Sequence, residues 1–331
     1  MRNFALQCWS AVLGAIVLAL LPAPALTSKA VPRVATFSIV GHDPETGDLG
    51  IAVQSKFFAV GSVVPWARAG VGAIATQSFA NTTYGPRGLE LLGRGLEPQA
   101  VLDSLVAGDA QRDQRQVGIV DARGRSVAYT GKSCSPWAGH VSGDHFTAQG
   151  NILVGKETVE AMAAAFRSTP GSLGDKLMRA LEEGQKAGGD SRGQQSAALL
   201  IVRAGAGYGG YNDRYCDLRV DDHKEPIREL RRIYDIWNGV ALVQEGYTAC
   251  ESKNWEKAFG LGEKAIALHP NEGEPYYHLA CYHSKAGHRD KALEILAQAV
   301  QRDPSLGARA RTDTDFEPLW KDTQFLATTG K

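Results

Sequence analysis

Beyond its first few dozen residues the chain breaks into short apolar runs separated by glycine, proline and acidic turns. ATFSIV and LGIAVQSKF flank HDPETGDLG and predict a β-hairpin. β-Branched and aromatic runs favour strands, and Asp-Pro followed by glycine supplies the turn. VVPWARAG and VGAIATQSF predict two further strands. The period then changes: within GPRGLELLGRGLEPQAVLDSLVAG, Leu89, Leu92 and Leu96, then Val101, Leu102, Leu105 and Val106, recur at helical spacing. QVGIVDARGRSVAYTG predicts a hairpin turning at Ala122-Arg123-Gly124, and QGNILVG a short strand. A helical pair follows from Glu157 to about Lys186, broken at Pro170-Gly171. SAALLIVRAG and DLRVDD close this regime as two strands around GAGYGG. Strands, two helices, strands, two helices and strands is not βαβ alternation. It predicts an α+β layered sandwich of largely antiparallel sheets with helices packed outside.

From about Ile227 onward the pattern is helical and repetitive. WEKAFGLGEKAIALHP and RDKALEILAQAVQRDP align at an offset of 34 residues, matching Ala258 with Ala292, Leu261 with Ile295, Ala265 with Ala299 and Pro270 with Pro304. That period, with small residues and a closing proline, is the tetratricopeptide pattern of paired antiparallel helices. NGVALVQEGYTACES and EPYYHLACYHSKAG supply the first helix of each pair. Phe316, Leu319, Trp320 and Phe325 can cap the last one. Two repeats fall short of the usual minimum of about three. Residues 237–331 are therefore expected to lean on the first domain (36–236) through PIRELRRIYDIW.

The first 25 residues read as a signal peptide: Arg2, an apolar run from Ala11 to Leu21, then the small-x-small cleavage signal Ala23-Pro24-Ala25. An uncleaved anchor is the alternative. Residues 26–35 are then a linker or pro-segment, and the protein is expected to be exported, periplasmic or extracellular. No later segment approaches the ~20 apolar residues of a membrane span.

Composition narrows the function classes. The 331 residues hold 36 Lys+Arg and 36 Asp+Glu, so the net charge is zero and no long-range pull toward nucleic acid is expected. Outside the leader Cys134, Cys216, Cys250 and Cys281 read equally well as disulfides, with three pairings, or as buried thiols. Their spacing matches no zinc pattern, and no cofactor or metal is read. Gly205-x-Gly207-x-x-Gly210 joins two strands and opens no helix, so it reads as a hairpin loop rather than a dinucleotide fingerprint. His278, His283 and His288 do not align on one helix face. Asp221-Asp222-His223 reads as a charged strand end.

Polar clusters embedded in apolar or glycine-rich sequence remain: Ser55-Lys56, placed within the second strand, Gln77-Ser78 with Asn81, Gln149-Gly150-Asn151, and the run from Gly188 to Ser196 containing Asp190 and Arg192. A lysine in a strand needs a partner or an exit to water. Asp190-x-Arg192 reads either as a fixed ion pair or as a solvated loop. Together the clusters look like one polar site lined by strand ends.

TFSIVGHDPETGDLGIAVQSKFFAVGSVVPWARAGVGAIATQ, then YGPRGLELL, RQVGIVD, the WAGH run, QGN, and GGDSRGQQSAAL with DLRVDDH resemble, in order, the family called domain of unknown function 1028. The resemblance covers roughly residues 36–236. It implies the N-terminal nucleophile (Ntn) hydrolase fold, a four-layer αββα sandwich, and through it an amide-hydrolysing activity. In such enzymes the first mature residue attacks a carbonyl while its own α-amine, of pKa about 7.7–8.0, acts as base. The matching residue is Thr36, and it gains a free amine only if the Ala35–Thr36 bond is cut. The resemblance assigns Lys56 or Arg68 to lowering that amine's pKa, and Gln77, Ser78 or Asn81 to the oxyanion. Asp190, Arg192 and Ser196 complete the polar wall. The expected substrate is a small-molecule or peptide-like amide, with a protein partner for the repeats and homo-oligomers left open. The alternative is a non-catalytic envelope scaffold that holds a small ligand in the sandwich. Cyclohydrolase-type chemistry without a terminal nucleophile is a third reading.

Overall fold

The structure, a computed structural model, describes residues 36–330. The expected leader (1–25) and linker (26–35) lie outside the described residues. Two antiparallel sheets are built from β1 (Thr36–His42), β2 (Leu49–Ser55), β3 (Pro65–Arg68), β4 (Gly72–Ser78), β5 (Arg115–Asp121), β6 (Ser126–Thr130), β7 (Gly139–Gly143), β8 (Phe146–Asn151), β9 (Ser196–Val202) and β10 (Arg214–Val220). The larger sheet runs β10-β9-β2-β1-β8-β7, the smaller β3-β4-β5-β6. The helices are α1 (Tyr84–Gly93), α2 (Pro98–Ala107), α3 (Glu157–Ser168), α4 (Leu173–Lys186), α5 (Pro226–Glu251), α6 (Trp255–Leu268), α7 (Gly273–Lys285), α8 (Arg289–Arg302), α9 (Ser305–Ala310) and α10 (Thr323–Thr329).

Strand alternation decides the layers. Phe37 and Ile39 of β1 face α3 and α4, joining Met162, Leu177 and Leu181. Val40, with Ile51 and Val53 of β2, faces the smaller sheet and packs on Ala73, Ala75 and Val120. Ile74, Val117 and Ile119 cover the far face, where Leu89, Leu92, Val101 and Leu105 of α1 and α2 seal it. The order is helices, sheet, sheet, helices. The β1–β2 turn closes as its sequence predicts: Asp43 N–H donates to Asp48 O at 2.9 Å, and Gly47 takes a φ of 75° that disfavours any side chain. Ser172 and Asp175 close a capping box at the start of α4.

Several expectations are corrected. β2 ends at Ser55, so Lys56 lies just past the strand. QGNILVG is not one strand: β8 starts earlier, at Phe146, and stops at Asn151, because Ile152 turns to a left-handed φ of 54°. The WAGH run supplies an additional strand, β7, whose register pairs Gly139 with Gly150. PIRELRRIYDIW and NGVALVQEGYTACES form a single helix, α5, and the expected boundary at 236/237 falls inside it. Of the two readings of Cys134, Cys216, Cys250 and Cys281, free thiols is the one found: none is in a disulfide, and the last three are buried.

In the helical region α5–α6 and α7–α8 pack as antiparallel pairs over one core. Ala258 and Ala265 of α6 and Ala292 and Ala299 of α8, the positions related by the 34-residue offset, are all fully buried. Phe316, Leu319 and Phe325 close the end of that core. Among the described residues no helix is long and apolar enough to cross a membrane.

Candidate functional site

Thr36 opens β1 between Ser55 of β2 and Asn151 of β8. It is fully buried, and its Oγ1 donates to Ser55 Oγ at 3.2 Å. Its side chain shares the inter-sheet face with Ser38 and Val40. Around Val40 that space is apolar; at the Thr36 end it becomes polar, and every polar group is held. Ser38 Oγ donates to Gln77 Oε1 (2.6 Å) and accepts from Gln149 Nε2 (2.6 Å). Gln77 Nε2 donates to Gln116 Oε1 (2.8 Å) and reaches the carbonyl oxygens of Thr36 and Gln149 (both 3.3 Å). Gln116 Nε2 donates to Gly150 O (2.8 Å) and Thr130 Oγ1 (2.9 Å), and Asn151 Nδ2 donates to Gln116 Oε1 (3.0 Å). Gly118 makes room for this layer, because a Cβ there would meet Gln149 Oε1 at 2.3 Å.

Such a network adds only about 0.5–1.5 kcal/mol per bond, whereas leaving one buried partner unpaired costs about 1–3 kcal/mol. A linked set of amides therefore has one low-energy arrangement and holds Thr36 in a fixed geometry.

Asp190 fastens the neighbouring strand ends. Its carboxylate is fully buried. It accepts from Lys56 N–H (3.1 Å), from Arg192 N–H (2.9 Å), and from Arg192 Nε (3.1 Å) and Nη2 (2.9 Å). The Asp190-x-Arg192 pair is thus a fixed ion pair of the two-toothed kind. Ser196 Oγ donates to Phe57 O and accepts from Val60 N–H at 3.1 Å. Lys56 Nζ donates to Gln194 O at 3.1 Å. Ser78 and Ile152 take left-handed φ values of 69° and 54° at this end. That conformation is unusual for a β-branched side chain and persists only where the surroundings enforce it. For Ile152 they do: its N–H donates to Ser135 O (3.0 Å) and its carbonyl accepts from Ser191 N–H (3.0 Å).

Two expected site residues go elsewhere. Arg68 pairs with Gly72 at the other end of the smaller sheet and donates through Nη2 to Leu89 O at 2.9 Å. Strands rise ~3.3 Å per residue, so the length of β4 separates it from Gln77 by roughly 16 Å. Asn81 donates to Asp109 Oδ2 at 3.0 Å, and its Oδ1 accepts from Thr83 N–H and Oγ1. Asp109 also accepts from Arg115 Nε (2.8 Å) and Tyr84 OH (3.1 Å). Burial works to raise the Asp109 carboxyl, but the hydrogen bonds from Arg115, Asn81 and Gln111 N–H pull it well below the ordinary carboxylate range. Ser78 hydrogen-bonds the Cys134 thiol, which burial pushes up. Of the expected set, Thr36 and Gln77 share the buried network, while Lys56, Asp190, Arg192 and Ser196 form the adjoining wall.

Gln116 is the main residue that sequence reasoning missed. It alternates with Gly118 and Val120 in β5 and so marks a polar step on an otherwise apolar inward face, but a single glutamine in a strand carries no spacing signal. Among the described residues one trio offers metal-ligand atoms, Cys281 with Asp313 and Asp315. Its carboxylates are already engaged by Tyr277 OH (2.7 Å) and Lys285 Nζ (2.9 Å).

Two antiparallel sheets between helices, with a buried polar network at one strand end and a helical region attached, define a mixed α/β protein. The chain belongs to the family of unknown function DUF1028, whose sequence profile matches residues 36–230. It is similar to a protein of Silicibacter pomeroyi, described as of the same family and solved as a crystal structure. Their identity is 30%, the TM-score 0.55, and the match covers 60% of this chain and 88% of that one. No curated protein matches.

Proposed function

We propose that the protein is an exported Ntn-type aminohydrolase that cleaves an amide bond with Thr36 as nucleophile. The observation that carries this reading is the setting of Thr36. It heads a central strand, its hydroxyl bonds to Ser55, and its carbonyl is held by Gln77. Cutting the Ala35–Thr36 bond frees the α-amine. Thr36 Oγ1 then attacks the amide carbonyl while the amine takes its proton. The C–N bond breaks, the departing amine receives that proton, and water hydrolyses the resulting ester to restore Thr36. Gln77, whose amide already reaches the Thr36 carbonyl, positions the nucleophile and is the candidate donor to the oxyanion; Ser78 bonds the Cys134 thiol on the other face of the same strand. Lys56 is the cation at this strand end that would keep the amine unprotonated. Arg68 is too distant for that role.

The test is intact-mass and N-terminal sequence analysis of the exported protein, together with turnover of an amide panel. Thr36 should be the first residue. Thr36→Ala should lose at least about a thousandfold of the rate, and Thr36→Ser should retain activity. A chain beginning at Leu26 with unaltered turnover in Thr36→Ala would sink the mechanism.

A second reading is an envelope scaffold. It is favoured by a 270 Å³ groove between α5 and α7, where Ile236 and Val240 stand 48% and 67% exposed. Here α5–α6 and α7–α8 act as tetratricopeptide repeats that dock a protein segment. Activity that survives removal of residues 252–331 separates catalysis from this docking role.

A further inference from the structure

Just past Ser55 the molecule opens into a groove of about 910 Å³, lined by Lys56, Gln195, Asp222, His223, Lys224 and Glu225. The groove is stitched to the proposed nucleophile. Gln195 N–H donates to Ser55 O (3.0 Å), and His223 N–H donates to Gln195 O (2.8 Å). Ser55 is the residue whose hydroxyl accepts from Thr36.

The lining has a definite chemistry. Every lining side chain ends in a polar or charged group, and apolar surface comes from their aliphatic stems, so selection here rests on the charged heads. Its charges are unevenly engaged. Glu225 pairs with Arg228 at 3.2 Å. Lys224 makes no ion pair among the described residues. Lys56 Nζ donates to a single carbonyl, Gln194 O, which leaves two of its three N–H groups for a ligand. Asp222 accepts from Gln195 Nε2 at 3.2 Å and keeps its second oxygen. His223 Nδ1 accepts from Glu225 N–H at 3.0 Å, so in the neutral ring Nε2 carries the proton and is a donor.

Resting on the reading of Thr36 as nucleophile, we propose that this groove is the recognition subsite for a zwitterionic, amino-acid-like end of the substrate. A carboxylate binds against Lys56 and Lys224, and an ammonium binds against Asp222. The substrate class is then peptides and aminoacyl amides with free termini, not long-chain acyl amides.

The experiment is calorimetric titration of the full-length chain carrying Thr36→Ala, which binds without turnover. The probes are alanyl-alanine, its N-acetyl and C-terminal amide forms, and octanamide. The free dipeptide should bind at least fivefold more tightly than either capped form, and octanamide should bind weakest. Adding Lys224→Ala, with Lys224→Gln as the conservative partner, should remove the preference for a free carboxylate. Adding Asp222→Asn should remove the preference for a free amine. Both side chains are exposed, and circular dichroism of each variant is the check that it folds. Equal binding of free and capped dipeptides, tighter binding of octanamide, or no binding at 10 mM ligand (about −2.7 kcal/mol) overturns the proposal. The two readings fail separately. Dipeptide binding with no Thr36-dependent turnover removes the hydrolase and leaves the subsite. Thr36-dependent turnover of octanamide without dipeptide binding removes the subsite alone.

Discussion

Gln54 is fully buried, yet neither its amide oxygen nor its nitrogen has a hydrogen-bond partner among the described residues. It stands opposite Phe37 and Ala197, on the helix-facing side of the larger sheet that packs on the apolar core. An unpaired buried amide costs about 1–3 kcal/mol, and an apolar side chain of similar shape avoids that cost. Gln54→Met should therefore raise stability by about 1–2 kcal/mol in urea denaturation. A loss of more than 1 kcal/mol would show that the amide holds something in the native protein. His283 makes the opposite case, a polar ring settled by stacking. It lies 4.0 Å from the Phe259 ring, with its Nδ1 3.3 Å from His288 Nδ1. Burial first, then the charges of His288 and Lys291, push its pKa down to about 4. The unfolded chain takes up this proton near pH 6.5 and the folded chain only near 4. Stability is thus full above about pH 6.5 and falls as the pH drops toward 4. His283→Gln should flatten that part of the pH–stability curve; an unchanged slope would assign the acid loss to other groups.

At the scale of elements, the knot around Asp109 joins α1, the end of α2 and the start of β5. Arg115 and Asp109 side chains are 11% and 9% exposed, and Arg115 also donates to Phe79 O. Removing one partner of such a pair leaves an uncompensated buried charge, at a cost of about 3–5 kcal/mol. Arg115→Ala should lose about that much in denaturant unfolding, and Arg115→Lys less. A loss below 1 kcal/mol would show that the pair is dispensable. The legibility of the elements has a matching physical division. Hairpins and amphipathic helices were readable because turn residues and side-chain period are local. β7 escaped because GHVSG has no apolar alternation and pairs only because β8 offers an edge. The unity of α5 escaped because its inward face changes partner partway along, from the sandwich to the helical pairs, and no single apolar stripe runs its length.

For the whole molecule, α5 is the joint. Ile227, Leu230 and Tyr234 are buried in the core that also contains Leu177 and Met178. Tyr234 OH donates to Asp175 Oδ1 (2.9 Å), and Arg231 Nε bonds Glu182 (2.7 Å). Farther along, Glu245 accepts from Tyr215 OH (2.8 Å) and pairs with Arg203, which also grips Asp48 at 2.7 Å. Burying three such side chains is worth roughly 5–9 kcal/mol, comparable to the net stability of a whole domain. A chain ending at 251 should therefore unfold cooperatively, and one ending at 225 should aggregate or melt without a transition. Cooperative unfolding of the shorter chain would show that the sandwich does not need α5.

The sequence by itself determined the strands that turn tightly, the helices with a clear period, the 34-residue repeat and the position of Thr36, because each is encoded within a few residues or in one repeated offset. It also grouped Gln77, Asp190, Arg192 and Ser196 as polar steps in apolar surroundings. Only the tertiary structure decided that Gln116 of β5 joins Gln77 to Asn151 and Gly150 beside Thr36, that Arg68 and Asn81 serve other ends of the fold, and that Asp190 closes on the Lys56 N–H and Arg192 rather than on solvent. Those outcomes depend on sheet order and register. They join residues dozens of positions apart, and a side chain's partner is chosen by which strand end the packing brings beside it.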